Sequence, residues 1–185
     1  MRNEWHEIFA TIDISKAYWL DECSVNLGMT RNYGRAFSNE RVIDYVPDIR
    51  FERTSILGVL GSTGIVAPFV YKDSLNGELF RAYVSKILSN VLNKGDTLIL
   101  DNLSVHKMKG VLQSLIDKGV RIIFLPPYSP DFNPIELAWS KIKSYLRKVK
   151  PRVTEQLIEA INEAIETITK KDAKGWIKHC GYGLQ

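Results

Sequence analysis

The chain has 185 residues, of which 45% are hydrophobic, and a formal charge of +4 at neutral pH. This length suits one domain with a core, and no apolar stretch approaches the roughly 20 residues that span a bilayer. The composition therefore argues against a membrane protein or a membrane partner, and the mild basic excess permits a polyanionic partner without requiring one.

Short apolar runs fill the first half of the chain. The run AYWLD ends at Asp21, and the runs TSILGVLG and IVAPFVY flank a Gly-Ser-Thr-Gly turn at Gly61 to Gly64. Two such runs around a glycine turn predict an antiparallel hairpin. From Asn76, apolar residues recur at spacings of three and four, which predicts an amphipathic helix that ends at 93–95.

Two further strands follow, and a carboxylate ends the first of them. The run TLILD ends at Asp101, a helical pattern follows, and the run RIIFL comes after Gly119. Strands joined through a helix predict a parallel, right-handed crossover. Asp101 would then lie at the carboxyl end of a buried parallel strand, the edge where open α/β sheets place their ligands.

A third carboxylate, Glu136, follows the proline-rich stretch LPPYSPDFNPIE. The prolines disfavour helix, so this stretch is predicted to be a rigid loop. Asn133 is predicted to be the N-cap of the next helix, with Pro134 at its first position. Thirty-four residues, 102–135, separate Asp101 from Glu136.

Three carboxylates brought together favour divalent metal ions. Two adjacent divalent ions in one carboxylate site can generate a nucleophile, neutralise a bound anion and stabilise a leaving oxygen. Mg²⁺ and Mn²⁺ prefer oxygen ligands, so carboxylates suit them better than histidine or thiolate. We therefore expect two Mg²⁺ or Mn²⁺ ions per site, held by Asp21, Asp101 and Glu136.

Each acidic residue also has an ordinary structural explanation. Glu136 and Asn133 could form a capping box, Asp101 could close an Asx turn, and Asp21 could be a solvated strand end. Two neighbouring acids compete with the three: Asp131, which suits a fixed turn better than a metal, and Glu22, which the strand period of two places on the opposite side.

Taken together, these motifs resemble those of the mariner superfamily of transposases, and most closely its bacterial insertion-sequence branch. LILDNLSVHK is similar to the second-aspartate strand of that family, and LPPYSPDFNPIELAWSKIK is similar to its glutamate block, whereas the first block around Asp21 is a looser match. The resemblance runs from about Ala17 onward. It implies a ribonuclease H-like α/β fold with antiparallel strands followed by parallel crossover strands, and a DDE catalytic domain that cleaves DNA and transfers strands.

The resemblance also implies partners: transposon ends, target DNA and a second copy of the chain on DNA. Candidate DNA contacts lie near two of the carboxylates. Lys107 and Lys109 follow Asp101 closely in sequence. Lys143 and Arg147 are four apart, so they share a face of the predicted helix that begins near Glu136. A solvated position on the surface explains each lysine equally well, and a surface or capping role explains His106. The candidate contacts are Asn102, His106, Lys107, Lys109, Lys143 and Arg147.

No helix-turn-helix segment is recognisable before Tyr18, so we expect residues 1–185 to form a single catalytic domain, with end recognition supplied by a separate partner. The bacterial-like form of these sequence motifs indicates a prokaryotic protein of the cytoplasm, associated with the nucleoid. Two other functions stay open: a catalytically silent DNA-binding or assembly module, and a stand-alone ribonuclease H-like nuclease.

Overall fold

A computed structural model of the chain describes residues 2–47 and 52–183. One five-stranded sheet with the strand order β3-β2-β1-β4-β5 forms its centre. The strands are β1 (Ala17–Val25), β2 (Thr54–Gly61), β3 (Gly64–Lys72), β4 (Thr97–Leu100) and β5 (Arg121–Phe124).

The sheet is mixed, as the sequence predicted. β1 pairs antiparallel with β2, and β2 with β3, whereas β4 runs parallel to both β1 and β5. The hairpin turns at Gly64, whose φ of +134° suits a residue without a side chain. The carboxyl ends of β1 and β4 consequently meet at one edge of the sheet.

Helices cover both faces of the sheet. The helix predicted from Asn76 is present, and the Asn76 side chain caps it by accepting from the Leu79 N–H. It consists of two α-helical parts, with a π-helical turn at Val84–Leu88 between them. The helices are α1 (Arg2–Ala10), α2 (Gly77–Tyr83), α3 (Ser89–Val91), α4 (Gln113–Asp117), α5 (Ile135–Val149), α6 (Thr154–Glu166) and α7 (Lys170–His179).

Two hydrophobic clusters form the core, one on each face. Trp19 and Ile99 contribute to the cluster under α5, α6 and α7, and Leu20 and Leu98 contribute to the cluster under α2. Neighbouring residues of a strand thus belong to opposite faces, as a period of two requires. In the part of the chain that the structure describes, no helix is both long and apolar enough to cross a membrane.

Candidate active site

The carboxylates Asp21, Asp101 and Glu136 line one cavity of about 460 Å³. β1 supplies the first, the segment directly after β4 supplies the second, and the first turn of α5 supplies the third. Prolines 126, 127 and 130 of the predicted rigid loop form part of the wall. The fold therefore brings together three acids that are far apart in sequence.

Asp21 is buried, with 8% of its surface exposed, and β1 continues past it to Val25. The interpretation of Asp21 as a solvated strand end is therefore wrong. Its Oδ2 accepts a 3.2 Å hydrogen bond from Nε1 of Trp139 on α5. Burial, followed by the negative charge of Glu136, raises the pKa of Asp21 well above its usual value.

A glycine opposite Asp21 makes room for this tryptophan. Gly58 of β2 is the cross-strand partner of Asp21, and a side chain there would approach the Trp139 ring to 3.1 Å. The pairing of β2 with β3 also shifts register between Leu57 and Val59. The missing side chain at Gly58 thus leaves space for the Trp139 indole to reach the Asp21 carboxylate.

Asp101 is held by two donors on the segment that follows it. Its Oδ1 accepts from the Leu103 N–H at 3.1 Å and contacts Nδ1 of His106 at 2.8 Å. The Asx turn considered from the sequence is therefore present, and it orients the carboxylate. Burial alone would raise the pKa of Asp101, but the His106 and Leu103 hydrogen bonds outweigh burial and lower it.

His106 is fully buried, which excludes the surface position considered from the sequence and leaves its ring no exposed area for DNA. The ring packs on Phe80, with 4.6 Å between centroids. Its Nε2 lies 3.7 Å from Oε2 of Glu22, and neither atom has a hydrogen-bond partner among the described residues. The imidazole thus lies between two carboxylates, with Nδ1 towards Asp101.

Glu22 itself lies on the opposite side of β1 from Asp21, as the strand period predicted. It does not line the carboxylate cavity, and burial raises its pKa. Asp131 lines a neighbouring depression beside His179 and Cys180, which Glu136 also borders. Neither of the two competing acids therefore shares the cavity of Asp21, Asp101 and Glu136.

The predicted capping arrangement at Glu136 is wrong. Helix α5 begins at Ile135, its N-cap position is Pro134, and no side chain caps it. Asn133 holds the chain through its backbone, because its carbonyl accepts from the Glu136 N–H at 3.1 Å. The buried Oδ1 of Asn133 lacks a hydrogen-bond partner among the described residues, and the residue lines the carboxylate cavity. Glu136 is exposed and is not needed for capping.

The remaining predicted DNA contacts are spread over two surfaces. The Asn102 side chain donates to the Leu125 carbonyl and so ties the ends of β4 and β5 together. Lys107 lies 5.3 Å from the centre of the Phe124 ring, and Lys109 is exposed. Lys143 and Arg147 are half-buried on α5.

Sequence reasoning missed the role of Trp139, which it placed only on the apolar side of α5. A signal was present, because a buried tryptophan needs a partner for its N–H and Trp139 lies three residues, nearly one helical turn, after Glu136. The residue that would accept this bond could not be read from the sequence, since Asp21 lies 118 positions away.

Comparison with known proteins now decides the family. A family profile described as "DDE superfamily endonuclease" matches residues 16–158. This chain belongs to the DDE endonuclease superfamily. The matched region contains all three carboxylates of the cavity. No curated protein matches the sequence significantly.

Solved structures of Mos1 mariner transposase share the fold of this DDE domain. A pre-cleavage Mos1 transpososome matches with a TM-score of 0.77 at 12% identity, over 100% of this chain and 62% of that one. The isolated Mos1 catalytic domain matches with a TM-score of 0.61 at 12% identity, over 100% and 93%. The predicted ribonuclease H-like fold is thereby confirmed, and this chain spans about three fifths of the transposase in the transpososome.

Proposed function

We propose that this DDE domain catalyses divalent-metal-dependent DNA strand cleavage and strand transfer during transposition of an insertion sequence. The shared cavity of Asp21, Asp101 and Glu136 carries the proposal, because three acids around one cavity have no evident use in a purely binding protein. Membership of the endonuclease superfamily supports it, as does the fold shared with Mos1 transposase, one structure of which is a strand transfer complex.

The cavity fits divalent cations by its chemistry. Its donors are carboxylates, the ligands that Mg²⁺ and Mn²⁺ prefer, and burial, followed by the nearby charge of Glu136, raises the pKa of Asp21. The orphaned Oδ1 of Asn133 adds an oxygen to the same wall. Among residues 2–47 and 52–183, no three acidic, cysteine or histidine side chains lie close enough to hold an ion without rearrangement.

Related crystals support the choice of ions. Mos1 paired-end complexes have been solved with Mn and with Mg. We propose two such ions here, held by Asp21, Asp101 and Glu136. When bound, they would activate the attacking oxygen and stabilise the leaving one.

The chain's own residues fix the carboxylates. Trp139 holds Oδ2 of Asp21, while His106 and the Leu103 N–H hold Oδ1 of Asp101. Glu136 is set by the first turn of α5, and the proline loop between β5 and α5 forms the opposite wall. Hydrogen-bond donors beside a metal ligand fix its orientation and raise its affinity for the metal. These contacts would therefore keep the three carboxylates in position around a phosphodiester that is attacked in line.

The partners follow from the reaction. We propose that the domain acts on transposon ends and target DNA, and that two copies assemble on DNA. Its relationship to the bacterial insertion-sequence branch, its prokaryotic origin and its place beside the nucleoid belong to the same proposal. The motifs LILDNLSVHK and LPPYSPDFNPIE support them.

A joining assay tests this function. A labelled oligonucleotide with a free 3′-hydroxyl is incubated with supercoiled plasmid, protein and Mn²⁺, and covalent transfer of label is measured on denaturing gels. Strand transfer predicts labelled plasmid with the wild type and none with Glu136→Gln. Hydrolysis without joining would show a stand-alone nuclease, and DNA binding without either reaction would show a silent module.

A further inference from the structure

A second large depression lies outside the carboxylate cavity. It is an open groove of about 990 Å³ between α5, the start of α7 and residues 31–33 of the segment that follows β1. Three aromatic rings and four basic side chains line it, together with serines of α5. Neither the carboxylates nor their supporting residues take part in it.

The groove is strongly cationic. Its one acidic residue, Asp172, is paired with Lys141 at 2.9 Å and forms the capping box of α7 with Thr169. The bond to Lys141 and the cap lower the pKa of Asp172 and keep it ionised, and the paired Lys141 ammonium balances its negative charge. Arg31, Arg147 and Lys148 form no hydrogen bond or ion pair with any described residue. Three cations thus remain available for phosphates.

Aromatic faces lie among these cations. Tyr33 is 91% exposed, and Trp176 is half-buried with part of its ring packed on the core. Tyr145 is also half-buried, and its hydroxyl donates to Glu163, which fixes its ring. Exposed aromatic rings beside unpaired cations suit unpaired bases, because each base offers a face for stacking and each phosphate a charge.

The groove adjoins the candidate active site. Its lining begins at Leu137, next to Glu136, and continues along α5 to Lys148. The eleven steps from Leu137 to Lys148 cover about 16 Å of helix, the length of about five stacked nucleotides. Ser140 and Arg147 lie four and eleven residues after Glu136, so they share its helical face.

We propose that this groove binds single-stranded DNA and guides an unpaired strand along α5 to or from the carboxylate cavity. The inference rests on the proposed strand-cleavage function and specifies the form of DNA that the site receives. Bases stack on Tyr33 and Trp176, and phosphates contact Arg31, Arg147 and Lys148. Duplex DNA offers no exposed base faces to these rings and should bind by charge alone.

Binding in EDTA tests the groove without catalysis. The affinity of labelled (dT)15 and of a 15-base-pair duplex is measured by fluorescence anisotropy for wild type, Tyr33→Ala and Trp176→Ala. Each variant should lower the affinity for (dT)15 by about 5-fold or more and leave the affinity for the duplex unchanged. Tyr45→Ala, an equally exposed tyrosine of the same segment outside the groove, should bind like wild type. Because Tyr33 is exposed, its variant remains informative even if Trp176→Ala fails to fold.

The electrostatic contribution to (dT)15 binding is tested separately. Arg147→Ala should lower the slope of log affinity for (dT)15 against log salt by about 0.7, whereas Arg41→Ala, exposed and outside the groove, should not. Unchanged (dT)15 affinity in Tyr33→Ala, or equal losses for single strand and duplex, would overturn the proposal. Because binding is measured in EDTA, where no cleavage or joining occurs, failure of the groove is distinguishable from failure of the proposed reaction.

Discussion

Trp139 donates its indole N–H to Asp21, so helix α5 holds the first carboxylate while it carries the third, Glu136. Helix α5 therefore contacts one acid and carries the other, although the two acids are far apart in sequence. Any movement of α5 relative to β1 changes both together. This coupling makes Trp139 the residue through which the geometry of the cavity is most easily disturbed without removing an acid.

Trp139→Phe should lower metal-dependent DNA cleavage by about 10- to 100-fold, the usual effect of losing a donor beside a metal ligand. Phenylalanine fills most of the space but cannot donate to Asp21. The loss should be smaller at high Mn²⁺ concentration, because metal affinity is the property affected. Initial rates against Mn²⁺ concentration measure it.

Trp19→Phe is the matched control. Trp19 is equally buried in the same cluster, and its ring packs on Tyr182 with 4.9 Å between centroids. This variant should cost some stability but leave the Mn²⁺ dependence of cleavage unaltered. An equal shift in Mn²⁺ dependence for both variants would show that general packing, and not the bond to Asp21, is responsible.

His106 should act through Asp101, since its buried ring reaches no solvent. His106→Leu removes the donor and should reduce cleavage by about 10- to 100-fold. His106→Asn places an amide N–H close to the position of Nδ1 and should recover a large part of the activity. Single-turnover cleavage by the two variants distinguishes orientation of Asp101 from proton transfer, because equal inactivity of both would contradict a purely orienting role.

Asp21 should make the metal-free protein less stable as pH rises. Burial and the Glu136 charge raise its folded-state pKa, so the folded chain binds this proton more tightly than the unfolded chain. Stability is therefore lost as pH increases from the unfolded pKa of about 3.9 through the folded pKa. Asp21→Asn cannot ionise and should be more stable than wild type above that window.

Urea unfolding in EDTA from about pH 4 to pH 8 measures this difference. The lowered pKa of Asp101 affects both proteins equally and cancels in the comparison. The advantage of Asp21→Asn should vanish near pH 4 and shrink when Mg²⁺ is added to both proteins. A difference that is constant with pH would contradict the assignment of buried, uncompensated charge to Asp21.

Gly58→Ala should destabilise the fold by about 1–3 kcal/mol, the usual cost of overpacking a core. The added methyl group would lie 3.1 Å from the Trp139 ring. Displacement of the ring by this methyl group should also reduce cleavage. Gly175→Ala is the control, since no atom beyond its chain neighbours and the backbone of its own helix lies within 4 Å of its added methyl, and α7 should gain about 0.5–1 kcal/mol. Thermal unfolding and plasmid nicking report on both variants.

Local patterns in the sequence predicted the hairpin, the amphipathic helix after Asn76 and the parallel crossover that places Asp101 at a strand end. Each depends on residues close together in the chain, where periodicity and turn chemistry decide the structure. Helices α1 and α7 were not predicted. The Thr169 and Asp172 capping box did mark the start of α7, but the basic composition of the tail concealed it.

The local environment of each acid could not be predicted in the same way. The position of Asp21 within β1, the bond from Trp139 and the burial of His106 all depend on which distant elements pack together. The space at Gly58 depends on the register between β1 and β2. Assignment of the three acids to catalysis stays a prediction, which their shared cavity supports.

The most direct measurement is nicking of supercoiled plasmid with Mg²⁺ or Mn²⁺ by wild type, Asp21→Asn, Asp101→Asn and Glu136→Gln. Asp131→Asn, a carboxylate from the same loop outside the cavity, is the matched control. We predict metal-dependent nicking that is abolished in the three cavity variants and kept in the control. Nicking that persists in folded Asp101→Asn and Glu136→Gln, or that needs no divalent metal, would contradict a carboxylate-metal active site in this cavity.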